Sequence, residues 1–137
     1  MVRQYDEVIE GKIYVGNAEE AECAITDLKV NHVYDVRVNG RVEQVSYDYT
    51  HRPIEENNEA ETIKKGAEEI AATIRNGDSV YIHCGSGTGR AAVMAAATLM
   101  ELGEVSTLEE VMNTVLQKRK GARFQPIMIN ALEKIYK

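Results

Sequence analysis

The sequence predicts an α/β fold: a mostly parallel central sheet of about four to five strands flanked by helices. Three observations predict it. Strand-patterned and helix-patterned segments alternate through the first half, which is the order that parallel sheets require. The last third reads as three successive helices. Between them, a short apolar strand runs straight into a glycine-rich loop and an alanine-rich helix, a junction typical of sheets whose ligands bind beyond the carboxyl ends of strands.

The elements follow in order. Val8-Ile9, a turn at Gly11-Lys12 and Ile13-Tyr14-Val15 read as a hairpin. Ala18 to Leu28 places Ala21, Ala24, Ile25 and Leu28 on one helical face. Val33 to Val38 is a short strand. Val45, Tyr47 and Tyr49 alternate with Ser46 and Asp48, the period of a second strand. His51 to Asn58 is polar, contains Pro53 and reads as a loop. Glu59 to Arg75 is a long helix with Ile63, Ala67, Ile70, Ala71 and Ile74 at helical spacing, closed by Asn76-Gly77. Ser79 to His83 is the last strand. Ala91 to Leu102 is apolar nearly all round, as a central buried helix is. Ser106 with Glu109 suggests a capping box before a helix whose inner face is Leu108, Val111, Met112, Val115 and Leu116. Pro126 suits the first turn of a final helix with Met128, Ala131, Leu132, Ile135 and Tyr136 inward.

The chain has 137 residues, 28% of them charged and 44% hydrophobic. Residues 1–137 are expected to form one domain, since cores usually divide only in longer chains. Its net charge of −6 argues against nucleic acid and an anionic membrane as partners. There is no apolar run of membrane-spanning length and no signal-peptide core. The two cysteines call for no bridge, so a reducing, cytoplasmic location is expected. Cys23, within the first helix, reads as packing. No metal-ligand spacing links His32, His51 and His83.

Cys84 is different. In His83-Cys84-Gly85-Ser86-Gly87-Thr88-Gly89-Arg90 a loop wraps the N-terminus of a buried helix. Backbone N–H groups there lack helical partners and the helix dipole is positive. Gly85, Gly87 and Gly89 are expected to supply positive-φ turns, making a nest of N–H groups for phosphate or sulfate. Arg90 adds a planar fork for two more oxygens. A thiol facing such a field favours its thiolate, a nucleophile aimed at phosphorus.

This HC-x5-R constellation resembles the active-site loop of the cysteine-dependent phosphatases, in particular the small dual-specificity and tyrosine type. Ile13 to Asn17 and Val33 to Arg37 look like the start of those domains. Pro53-Ile54-Glu55-Glu56 looks like their acid loop, and Gln125-Pro126 is similar to a pair found before their last helix. The resemblance implies a phosphatase-type P-loop between the last strand and the central helix. It also implies hydrolysis of phosphomonoesters, phosphotyrosine first and phosphoserine or phosphothreonine as well, through a cysteinyl-phosphate intermediate.

By that resemblance Cys84 is the nucleophile. Gly85, Ser86, Gly87, Thr88, Gly89 and Arg90 bind phosphate, His83 tunes Cys84 through hydrogen bonds, and Gln125 positions the hydrolytic water. The family's acid is an aspartate, absent here. Glu56 is the favoured general acid, with Glu55 the alternate, then Asp48 or Glu59. Ala91 stands where a Ser or Thr is usual, which implies slow breakdown of the phosphocysteine. No cofactor or metal is implied. The expected partner is a phosphorylated protein or a small phosphomonoester as substrate, and the protein is expected to be a monomer. The loop lacks lysine, which disfavours a phosphoinositide headgroup. Lys118-Arg119-Lys120 and Arg123 read first as cations at a helix end, and otherwise as a phosphosubstrate contact. Two other readings stay open: a catalytically weak or inactive phosphate-binding module, and a rhodanese-like sulfurtransferase.

Overall fold

The structure is a computed structural model that describes residues 5–40, 45–86 and 88–137. Strands β1 (Tyr5–Ile9), β2 (Ile13–Gly16), β3 (His32–Asp35), β4 (Tyr49–His51) and β5 (Val80–His83) form one sheet in the order β1-β2-β5-β3-β4. Only β1 is antiparallel, paired to β2 through the hairpin; β2, β5, β3 and β4 run parallel. Helices α1 (Ala21–Asp27), α2 (Glu59–Arg75), α3 (Arg90–Leu102), α4 (Leu108–Lys118) and α5 (Pro126–Tyr136) cover it.

Alternation along each strand sorts the side chains onto two faces. Tyr14, Val33 and Tyr81 pack with Ala21 and Ala24 of α1. Ile13, Val15, Tyr34, Val80 and Ile82 join the larger core with α2, α3, α4 and α5. Helix α3 is the hub. Residues Ala91 to Leu99 are all buried, and the helix touches β2, β5, α2, α4 and α5. Its small alanines let neighbours approach on every side. Gly66 does the same from α2: a Cβ there would lie 2.6 Å from the Met94 side chain. A glycine inside a helix costs about 1 kcal/mol against alanine, and here that cost buys close contact of α2 with α3.

Several elements differ from the sequence reading, each for a local reason. The predicted strand over 45–49 forms only at Tyr49–His51, where β3 offers partners at Val33, Tyr34 and Asp35. Strand β3 stops at Asp35 rather than Val38, because the Asp35 carboxylate takes the Arg37 N–H at 3.1 Å and closes a turn. Helix α1 starts at Ala21, not Ala18: the Asn17 side chain accepts the Glu20 N–H at 2.9 Å and holds the preceding residues in a turn. The cap of α4 is Thr107, whose hydroxyl accepts from the Glu110 N–H, not Ser106. Leu116 lies on the exposed side of α4. Cys23 is exposed as well, so it does not pack in the core.

Candidate active site

Strand β5 delivers Cys84 to the carboxyl end of the sheet, and α3 begins at Arg90. The loop between them lines a cleft of about 590 Å³. Cys84, Gly85, Ser86, Thr88, Gly89, Arg90 and Gln125 all face it, so most of the expected site residues come together. Gly87 lies outside the described residues. Three positions that the sequence reading did not place there complete the wall: Arg37, Val38 and Asn39 from the turn after β3. Arg123 joins them, which favours the substrate-side reading of that cation over the helix-end one. Among the described residues the lining therefore carries three arginines and no carboxylate, on a chain whose net charge is −6.

The loop is shaped from outside. The Cys84 carbonyl accepts from the His83 ring at 3.1 Å, and the Gly85 carbonyl from the Ala18 N–H at 3.2 Å. The Thr88 carbonyl accepts from the Arg123 N–H at 2.8 Å. No cis peptide occurs among the described residues. In a trans amide the N–H points opposite to the C=O. Anchoring these carbonyls outward therefore turns the N–H groups of Gly85, Ser86 and Gly89 away from the anchors, toward the cleft. Together with the start of α3 they make a site for an oxyanion.

Two of the three glycines do not supply the positive-φ turns expected of them. Gly85 and Gly89 both lie outside the left-handed region, Gly89 at φ −110°. A Cβ at either would meet open space. Gly85 and Gly89 thus leave room for a ligand to reach the backbone rather than supply a special turn.

Beneath the loop lies a buried polar pair. Asp35 and His83 are opposite each other in the β3–β5 register and both are fully buried. The Asp35 carboxylate accepts from Arg37 Nε at 3.0 Å, Arg37 Nη2 at 2.7 Å and the Tyr49 hydroxyl at 2.6 Å. Burial pushes the Asp35 pKa up. The bonds from Arg37 and Tyr49, with His83 nearby, outweigh it and hold the pKa below the ordinary carboxylate value. His83 Nδ1 stands 3.8 Å from Asp35 Oδ1. A carbonyl can only accept, so the bond to Cys84 O fixes the hydrogen on Nδ1. His83 thus addresses the backbone of Cys84 as an anchor of the loop.

The candidate acids separate by place. Asp48 pairs with His32 at 3.0 Å at the opposite, amino end of the sheet, which removes it as a candidate. Glu59 accepts the Asn57 N–H at 3.0 Å and lines a different hollow, of about 830 Å³, between the start of α2 and α5. That hollow holds neither a cysteine nor an arginine. Glu55 and Glu56 are exposed on the loop after Ile54 and do not line the Cys84 cleft. Their loop is tied to the site nonetheless: Arg90 Nε donates to the Ile54 carbonyl at 3.2 Å. Ala91 is buried directly behind Arg90. Among the described residues no group of His, Cys, Asp and Glu could hold a metal ion.

The family model for the dual specificity phosphatase catalytic domain matches residues 13–135. No curated protein matches the sequence. Among solved structures, human DUSP28 is similar at TM-score 0.83 and 18% identity, over 99% of this chain and 95% of that one. A mouse putative dual specificity phosphatase complexed with zinc tungstate gives 0.84 and 17%, over 99% and 88%. PTPMT1 in complex with PI(5)P gives 0.78 and 17%, over 97% and 94%. At such identities these likenesses speak to the fold.

Proposed function

Because the chain belongs to the dual specificity phosphatase catalytic-domain family, we propose that it is a cysteine-dependent phosphatase that hydrolyses phosphomonoesters. The observation that carries this reading is the cleft itself, in which Cys84, Arg90 and the inward N–H groups of one loop converge, with no carboxylate among the described residues of the wall. The Cys84 thiolate attacks phosphorus in line, and the bond to the leaving oxygen breaks as the S–P bond forms. Gly85, Ser86, Gly89 and the Arg90 fork stabilise the equatorial oxygens, where charge is greatest in the transition state.

The leaving oxygen takes its proton from the loop after Ile54. Glu56 is the proposed donor and Glu55 its alternate. Neither is locked into the cleft, so the side chain reaches in when substrate is bound. Water held by Gln125 then hydrolyses the phosphocysteine. Phosphotyrosine is the first substrate proposed, with phosphoserine and phosphothreonine admitted. A reducing compartment, the cytoplasm, keeps Cys84 a thiol.

An aryl phosphate assay from pH 5 to 7, with Cys84→Ser as control, tests the reading. Turnover that Cys84→Ser abolishes is the expected result. Vanadate binding without Cys84-dependent turnover would leave only a phosphate-binding module.

A further inference from the structure

Arg119 is a buried charge that the chemistry above does not use. It caps α4, is only 4% exposed, and is one of few charged side chains in the interior. Its guanidinium bridges two distant parts of the chain. Nη1 donates to Asp6 Oδ2 of β1 at 3.0 Å, and Nη2 donates to the Ser86 carbonyl at 2.9 Å. The same Asp6 oxygen also accepts the Lys120 N–H at 3.0 Å. Four residues on, the Arg123 N–H holds the Thr88 carbonyl. Between them Gly121 turns at φ +82°, and a Cβ there would come within 3.5 Å of Thr88 Cγ2. The stretch from Arg119 to Arg123 therefore lies along the outer side of the loop and grips two of its carbonyls.

We infer that Arg119 is a positioning residue: anchored by Asp6, it holds the Ser86 carbonyl on the outside of the loop and so fixes the anion cradle at Cys84. This rests on the reading of that loop as an oxyanion site. A planar guanidinium can bind Asp6 and Ser86 at once, whereas a lysine offers one point charge. With Asp6 as counter-charge the arginine is tolerated in the interior. The precision of the cradle is thereby set by β1 and the α4 C-terminus, remote from the loop in sequence.

The test reads the cradle through thiol chemistry rather than turnover. In a Cys23→Ser background, alkylation of Cys84 by iodoacetate, an anion, is compared with alkylation by neutral iodoacetamide. The rate ratio is normalised to free cysteine. An intact cradle gives a ratio well above one. Arg119→Met is expected to lower it about tenfold, Arg119→Lys less, and Asp6→Asn a few-fold.

An unchanged ratio in folded Arg119→Met, even with a lower melting temperature, would make the residue merely structural and overturn the inference. Should Arg119→Met fail to fold, Asp6→Asn decides, and an unchanged ratio there overturns it equally. A wild-type ratio near one defeats the oxyanion reading and the inference with it. A high wild-type ratio that the variants lower, without aryl phosphate turnover, sinks the phosphatase reading and leaves the clamp standing.

Discussion

The two ends of the parallel sheet carry the same residue types and do different things with them. At the amino end His32 lies 3.0 Å from Asp48 and 3.3 Å from Asp78, with all three side chains partly in solvent. At the carboxyl end His83 faces Asp35, and both are fully buried beneath a loop that opens α3. Water screens the first set, so its ion pairs have little influence beyond themselves. The second set is dry and hydrogen-bonded, so it fixes the backbone above it. A histidine with carboxylates becomes part of a site through burial and the helix N-terminus beside it, not through its composition.

Breaking the carboxyl end at its reactive atoms has the largest expected effect. Cys84→Ser should lower kcat for an aryl phosphate by at least about 10³-fold. Arg90→Lys should cost about 10²-fold or more, because the bidentate fork is lost. Both are read by steady-state kinetics on folded protein. Next comes the acid. Glu56→Gln should cost about 10²-fold on alkyl phosphates and much less on p-nitrophenyl phosphate, whose leaving group needs little protonation. If Glu55→Gln shows that pattern instead, the assignment moves by one residue.

The buried pair is tested by stability. Asp35→Asn should destabilise the protein by about 3 kcal/mol at pH 7, measured by urea denaturation. The sign with pH follows from a folded pKa held below the ordinary 3.8. Asp35 stays ionised in the fold where the unfolded chain would protonate, so its contribution is full above about pH 4. It is lost as pH falls toward the folded value. The gap between wild type and Asp35→Asn should therefore narrow in acid.

A finer probe is Ala91, which leaves no hydroxyl behind Arg90. Wild type should show a burst of product before slow turnover, and Ala91→Ser should raise kcat several-fold while shrinking the burst. Single-exponential release without a burst would show that breakdown is not limiting. The smallest effect belongs to the amino end: His32→Ala should change stability by less than about 1 kcal/mol and leave kcat alone. A large kinetic effect there would collapse the contrast between the two ends.

Much of this was legible in the chain. Helix α2 begins and ends where its periodicity and Asn76-Gly77 place it, because an amphipathic face seventeen residues long outweighs local ambiguity. Cys84, Arg90 and the intervening glycines were legible as one local constellation, since every member lies within seven residues. The short strand β4 was displaced because alternation says where a strand can form, not which residues its neighbour offers.

The sequence by itself determined the fold class, the loop that bears Cys84 and the helix that follows it. These depend on periodicity and on neighbours along the chain. Only the tertiary structure decided what surrounds that loop. Arg37 enters the cleft because Asp35 folds it back, Arg119 reaches Ser86 from the far end of α4, and Asp48 is carried to the opposite end of the strands. Each of these depends on which strands and helices pack together, and spacing along a chain does not encode distance across a core.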